Sequence, residues 1–530
     1  MQSESVKVVV AASLLGGLLF CFVSCSMPQQ DQAREDGLNQ VKAEGAPSAT
    51  LFPSPEVVVS AATATLTPLS QTPTPRPTPT STLAAMPIPT PESGPFAYHT
   101  ISEGQTLGYI ALIYGTEIDS LVKMNKLEGP SALIQIGQVL RVPVQTDNIA
   151  PNNRLLPDSE VVYGPSYIDF DIVDFVNQHG GFLVTYREVV EGEELSGAEI
   201  VERVAEQFSV GPRLLLALLE HYGGWVTSPT VTEDQLNRPL GPHNPRGGSL
   251  HLALGFTANR INAGYYGYKR DGFWIFHLPD GSQAISAQGI NAGTVGLQNI
   301  LAIHSNFETW QQELGQDGFM NVYHTLFGDP FANEFAPVVP IDLVQPPLGL
   351  PWAADQGFYY TSGPHGAFAD GSAWAAVDFG PPDVIGNCFY SDEPSTAAAS
   401  GVIVVARQGE VQLDLDGDGN IQTGWVLLYL HVALDFDAPV QIGQRVAAGD
   451  VIGYPSCEGG LSNSSHLHLA RRYNGEWIDA GGPVPMELAG WVVQPNLTPY
   501  EGTMVKAGQV RTACECWDAE HNLIVNEQLE

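Results

Sequence analysis

Two histidines one residue apart, in Ser464-Ser465-His466-Leu467-His468-Leu469-Ala470, are the side chains of this 530-residue chain best spaced to do chemistry together. On a strand, residues i and i+2 point to the same face, so His466 and His468 reach one cleft while Leu467 and Leu469 pack behind. His431 ends a second apolar run that starts at Trp425, and Asp378 has apolar neighbours in Ala376-Val377-Asp378-Phe379. His365, in Gly363-Pro364-His365-Gly366, is the fourth imidazole of the region. An open catalytic zinc site takes about three protein ligands and keeps a place for water, and imidazole with carboxylate suits that ion. The plain alternative is scattered surface histidines, or a hydrogen-bonded core pair.

The elements that must position these residues change along the chain. From about residue 350 the pattern is short apolar strands, Gly turns and alternation, which predicts a mostly antiparallel sheet. Upstream, residues 195–345 carry helical spacing: Ser196 to Glu199 reads as a cap for Ile200, Val201, Val204, Ala205 and Phe208, and Pro212 opens a second helix through Glu220. Residues 98–143 read strand, helix, helix, strand. Residues 65–95 hold nine Pro and eight Thr in 31 positions, a stiff extended spacer. Val6 to Val23 is an apolar run short for a membrane span, and it ends in Phe22-Val23-Ser24-Cys25-Ser26.

Composition limits the partners. Lys and Arg number 22 against 58 Asp and Glu, a formal charge of −36, so the clustered cations that bind nucleic acid are missing. Charged residues are 15% of the chain, whereas a 44% hydrophobic content is enough for real cores. At about 150 residues per domain, the length predicts about three domains.

Several segments resemble known families. The N-terminal run with Cys25 resembles a bacterial lipobox, which implies export and lipid attachment at that cysteine. Glu103-Gly104-Gln105-Thr106-Leu107, Ile110-Ala111, Tyr114-Gly115, Asn125 and Ile136-Gly137-Gln138-Val139-Leu140-Arg141-Val142-Pro143 resemble a LysM domain, which implies binding to peptidoglycan glycan. Gln105 and Gly108 stand where Asp and Ser are usual, a departure expected to cost a helix cap.

Val377-Asp378-Phe379-Gly380-Pro381, Leu428-Tyr429-Leu430-His431, Ile442 to Gly453 and Ser464 to Leu469 resemble lysostaphin/LytM-type zinc endopeptidases. That resemblance implies Asp378 and His468 as zinc ligands, His431 and His466 as catalytic residues, and peptidoglycan peptide as substrate. The family's first ligand is a His four residues before the Asp, where this chain has Trp374; His365 is the expected substitute. A pseudo-enzyme that activates amidases is the alternative if His365 does not coordinate. Arg213 to Glu220 with Gly223-Gly224-Trp225, and Asn262-Ala263-Gly264 with Asn291-Ala292-Gly293, are similar to lysozyme-like transglycosylases, which would make Glu220 a general acid; a solvated end-of-helix carboxylate is the alternative.

Asp414-Leu415-Asp416-Gly417-Asp418-Gly419-Asn420 resembles the start of a calcium loop, but Trp425 stands at its twelfth position and a hairpin turn is preferred. With Cys21 in the signal and Cys25 lipidated, Cys388, Cys457, Cys514 and Cys516 remain; they allow three pairings, of which 388–457 with 514–516 is preferred. The expected fold is multidomain α+β: a lipoprotein signal (1–25), a Thr/Pro-rich linker (26–96), a βααβ LysM module (97–144), a helical middle domain that is lysozyme-like on one reading (160–345), a mostly antiparallel β zinc-peptidase domain (346–495) and a C-terminal tail (496–530). The expected function is an exported, lipid-anchored peptidoglycan-binding zinc endopeptidase; the alternative is an inactive wall-binding scaffold.

Overall fold

In the βααβ unit, the two helices and the closing strand each turn apolar side chains to one core. In the computed structural model, which describes residues 96–101, 105–114, 116–135, 138–143, 148–436, 439–496 and 498–527, strand Phe96–Thr100 pairs antiparallel with Val139–Pro143. Cys25, the signal segment and the Pro/Thr stretch 65–95 lie outside those residues. Helices Leu107–Ile113 and Ile118–Asn125 fill the gap between the strands. The first helix keeps its cap despite Gln105 and Gly108, because Thr106 Oγ1 accepts the amide of Tyr109 at 3.1 Å. Asn125 fastens the second helix to the closing strand, accepting from Arg141 N–H at 2.7 Å and donating to the Arg141 carbonyl.

A unit this small cannot bury much alone. It completes its core with Phe273 and Ile285 from the helical region. Tyr114 stacks on Phe273 at 3.9 Å, and the Tyr109 hydroxyl donates to Asp271 at 2.8 Å.

The helical region is built as its caps predict. Ser196 and Glu199 form a reciprocal capping box for Gly197–Phe208, and Pro212 starts Pro212–Gly223. Helices Leu250–Asp271 and Ala292–Ala302 meet closely: a Cβ added at Gly264 would stand 2.7 Å from the Asn299 Cβ. The buried Glu160 carboxylate takes Arg213 as a two-pronged partner at 2.8 and 2.7 Å, and the Tyr167 hydroxyl at 2.8 Å.

The C-terminal strands form one large antiparallel sheet in the order 445–446, 401–407, 409–414, 425–433, 467–473, 376–380, 357–365, 523–525. The expected mostly antiparallel sheet is therefore present. Residues 502–525 lie in the segment read as a tail. They form the hairpin Gly502–Lys506 with Gln509–Thr512, and the edge strand Leu523–Val525 against Gly357–Tyr359.

Helices and sheet share a core. Leu428, Leu430, Ala470 and Trp477 belong to the same buried cluster as the helical side chains. Polar ties cross the same boundary: the Tyr266 hydroxyl accepts Trp477 N–H at 3.0 Å, and Gln207 donates to the buried Glu410 at 3.2 Å. Among the described residues, no helix is long and apolar enough to cross a membrane.

Cys388 bonds to Cys457, and Cys514 to Cys516. The first bridge closes a separation of 69 residues. Removing such a cross-link by the double substitution Cys388→Ser and Cys457→Ser is expected to lower the unfolding free energy by about 2–4 kcal/mol, read as an earlier denaturant midpoint. An unchanged midpoint would show the bridge to be irrelevant to stability.

Candidate metal centre

Three neighbouring strands bring the sequence-separated donors together. His468 lies on Leu467–Tyr473, directly opposite Asp378 on Ala376–Gly380, and Ser362 of Gly357–His365 faces Asp378 from the other side. Register shifts between Tyr360 and Ser362, and between Ser362 and His365, turn the end of that strand so that His365 reaches the same point. His365, Asp378 and His468 are all buried.

Their facing atoms make a small triangle. His365 Nε2 is 3.3 Å from Asp378 Oδ1, His468 Nδ1 is 3.0 Å from it, and the two ring nitrogens are 3.1 Å apart. Four ligands about 2.1 Å from a tetrahedral zinc would stand about 3.4 Å from one another, so the triangle is close to one face of such a site.

The outward ring nitrogens fix the tautomers. His365 Nδ1 is 2.8 Å from the Gly363 carbonyl, and His468 Nε2 is 2.9 Å from the Ala367 carbonyl. A carbonyl only accepts, so each of these nitrogens carries the hydrogen, and in the neutral ring its partner nitrogen turns a lone pair inward. Asp378 Oδ1 is buried without a hydrogen-bond donor. Three potential ligand atoms thus converge on one point, a grouping that could hold a metal ion. Burial pulls His365 down, yet Asp378 outweighs it and leaves that imidazole above its ordinary value. Burial pushes Asp378 up, yet His365 and then His466 hold it well below the usual carboxylate range. The two shifts are one mutual interaction, and burial, the largest cause at His468, holds that imidazole below its ordinary value.

His431 and His466 stand beside this triangle. His431 is an extra residue in its strand, since Gly409 pairs with Val432 and Glu410 with Leu430, and it takes a left-handed φ of 60°. A bulge of this kind re-aims a side chain at a site, and the strained backbone is consistent with that use. Its ring lies 4.4 Å from that of His466, centroid to centroid, and its Nδ1 donates to the Glu458 carbonyl at 2.8 Å. Burial, then the neighbouring His466 and His468, push His431 down to about 3, so it is neutral near pH 7 with Nε2 free. His466 precedes its strand and places Nε2 3.7 Å from Asp378 Oδ2. The four imidazoles and Asp378 are therefore one cluster. Trp374, in the position of the expected family ligand, lies instead under the Arg270 guanidinium at 5.0 Å.

An open cleft of about 240 Å³ leads from Asp378 and His466 along Thr361, Asn463, Glu515 and Trp517. Sequence reading gave Glu515 and Trp517 no role. They line the cleft because Asn522, fully buried, donates to the carbonyls of Tyr360, Cys514 and Cys516 and holds the 514–517 turn against the sheet. Nothing in local sequence pattern signals that long-range contact.

Glu220 is not brought to this site. Its carboxylate accepts Val226 N–H at 2.9 Å, Thr227 N–H at 3.0 Å and the Thr227 hydroxyl at 2.5 Å, so it closes the turn after its helix. The two Asn-Ala-Gly runs also have structural work. Asn262 donates to the Phe208 carbonyl, and Asn291 and Gly293 bond Asp158. The general-acid reading of Glu220 thus has no support in the geometry. Calcium gains none either. The carboxylates of Asp414, Asp416 and Asp418 come together, but they accept the amides of Asp416, Gly419, Asp418 and Asn420 within their own hairpin turn.

Two segments of the chain match known family models. Residues 99–143 match the LysM domain. Residues 154–339 match the N-terminal domain of LasA, which covers the helical region next to the LysM segment. No curated protein matches the chain. Among solved structures, similarity is found to pseudoalterin, an M23 metalloprotease from the deep sea, at 19% identity and a TM-score of 0.26, over 32% of this chain and 96% of that one. A zinc-containing peptidase from Vibrio cholerae is 19% identical with a TM-score of 0.20, over 27% of this chain and 41% of that one. The catalytic domain of lysostaphin from Staphylococcus simulans is 28% identical with a TM-score of 0.17, over 23% and 87%.

Proposed function

We propose that the chain is a peptidoglycan-bound zinc endopeptidase that hydrolyses wall peptides. The observation that carries this reading is the triangle of His365 Nε2, Asp378 Oδ1 and His468 Nδ1, each turned inward with its lone pair. Two imidazoles and a carboxylate are a zinc donor set, and three protein ligands leave the open position of a catalytic site. When bound, zinc supplies Lewis-acid polarisation of the scissile carbonyl and a water of lowered pKa.

The chain's own residues do the rest. His431 is neutral, its Nδ1 hydrogen is held by the Glu458 carbonyl, and its Nε2 is free to take a proton. His466, next to it, has its Nδ1 hydrogen held by the Ser464 carbonyl at 2.8 Å, which turns Nε2 toward Asp378 and makes it the second catalytic imidazole of the cleft. The Gly363 and Ala367 carbonyls hold the outward hydrogens, so the neutral rings present His365 Nε2 and His468 Nδ1 to a metal. The cleft past Thr361, Asn463 and Glu515 holds an extended peptide. The LysM segment binds the glycan that carries that peptide, and Cys25 with its signal places the chain at the cell envelope on a lipid anchor. The helical region is a support for the peptidase.

Incubating the full chain with zinc and purified peptidoglycan is expected to release fragments with new peptide amino termini, and a chelator should stop their release. Wild-type protein that holds stoichiometric zinc yet releases no new termini would turn the reading into that of an inactive wall-binding scaffold.

A further inference from the structure

A second cleft, of about 640 Å³, opens between the LysM segment and the helical region. Leu112 and Tyr114 form one wall, and Arg260, Trp274, His277 and Gln283 are among the residues of the other. The two walls are fixed relative to each other by the Tyr114–Phe273 stack and by the Tyr109–Asp271 hydrogen bond.

Arg260 is the unusual residue here. Among the described residues no carboxylate pairs with it, in a chain whose formal charge is −36. Its Nε is buried without a hydrogen-bond partner, and its guanidinium donates once, to Asn299 Oδ1 at 3.1 Å. Burial lowers Arg260 below the ordinary arginine value, with no anion to counter it. The neighbouring Arg270, by contrast, is paired with Asp271 at 2.9 Å. A partly buried guanidinium that lines a cleft with no carboxylate against it keeps donors that an anion can pair.

Asn299 also sets the chemistry beside the charge. The same Oδ1 accepts the Trp274 indole N–H at 2.9 Å, while Asn299 Nδ2 donates to the Arg260 carbonyl at 2.6 Å. One fully buried amide therefore holds an indole and a guanidinium side by side at the cleft. An aromatic face takes the apolar face of a sugar ring, and a guanidinium takes a carboxylate by two parallel hydrogen bonds.

We propose that this cleft binds an acidic muropeptide, the sugar ring against Trp274 and a stem-peptide carboxylate on Arg260. The proposal rests on the peptidoglycan reading above, and it assigns acid selectivity to a surface that only the docked pair of regions creates.

Titration of the full chain, by calorimetry, with a disaccharide-tetrapeptide muropeptide and separately with neutral N-acetylglucosamine tetramer tests it. Arg260→Gln is expected to weaken the muropeptide by about tenfold or more and to leave the tetramer unchanged, since a charged hydrogen-bond pair is lost from one ligand alone. Arg260→Lys should fall between. Muropeptide affinity of the wild type should drop with added salt while tetramer affinity does not. This salt arm holds even where a variant fails to fold. Equal affinity of wild type and Arg260→Gln for the muropeptide, salt-independent binding, or tighter capture of inorganic phosphate than of muropeptide would overturn the proposal and leave the wall-binding reading standing. Binding of neither saccharide would overturn both.

Discussion

His365→Ala protein, dialysed after zinc loading, is expected to retain no stoichiometric zinc and to release no peptide termini from peptidoglycan. The reason is geometric. His365 supplies one of three converging lone pairs, and the remaining two, on Asp378 and His468, make a two-ligand site. Loss of an outer-shell partner already costs a metal site 10–100-fold, so loss of a ligand should exceed about 100-fold in affinity. His431→Ala gives the contrasting outcome. Its side chain stands outside the triangle, so zinc stays bound while turnover falls by about 10²–10⁴, the usual range for a missing general base. Metal analysis beside terminus release separates the two. Stoichiometric zinc in His365→Ala would remove His365 from the ligand set; full turnover in His431→Ala would remove its role as base.

The second large effect comes from a residue far from the chemistry. The Ala367 carbonyl that orients His468 belongs to the loop between His365 and Asp378, and that loop is gripped by the helical region. Asn259 accepts the Gly371 amide at 2.7 Å, and the approach is so close that a Cβ on Gly371 would stand 2.1 Å from the Asn259 carbonyl oxygen. Phe208 meets Phe368 edge to face at 4.8 Å. Asn259→Ala is expected to free the Gly371 amide, loosen Ala367, and weaken zinc by about 10–100-fold. The melting temperature should change little, because the residue is on a long helix surface rather than in its core. Phe208→Ala should do both, with about 3–5 kcal/mol of lost stability for a buried aromatic. Zinc affinity measured by competition with a chelator, compared with melting, checks this. Wild-type zinc affinity in Asn259→Ala would reduce the helical region to a separate neighbour.

Local pattern carried much of the site. His466-Leu467-His468 announced its cleft because residues two apart in extended chain share a face, even though the strand itself begins at Leu467. Asp378 between apolar neighbours and the Ser196 to Glu199 cap were legible for the same reason. Each is a short-range arrangement, and the structure contains both. Glu220 and the Asn-Ala-Gly runs show the limit of that approach. A carboxylate at the end of an apolar helix looks the same in sequence whether it faces a substrate or a turn, and only the fold brings Val226 and Thr227 onto it.

What the sequence determined by itself is the set of donors, the modular order and the acidic, extended composition, because these depend on residue type and near-neighbour spacing. Tertiary structure alone decided that His365 reaches the site, through two register shifts in its strand. It also decided that His431 is bulged into a left-handed turn, and that Glu515, Trp517, Asn259 and Arg260 have any role at all. Bulges and docking depend on pairings between residues tens to hundreds of positions apart, where the free energy of the whole core outweighs the preference of any short segment.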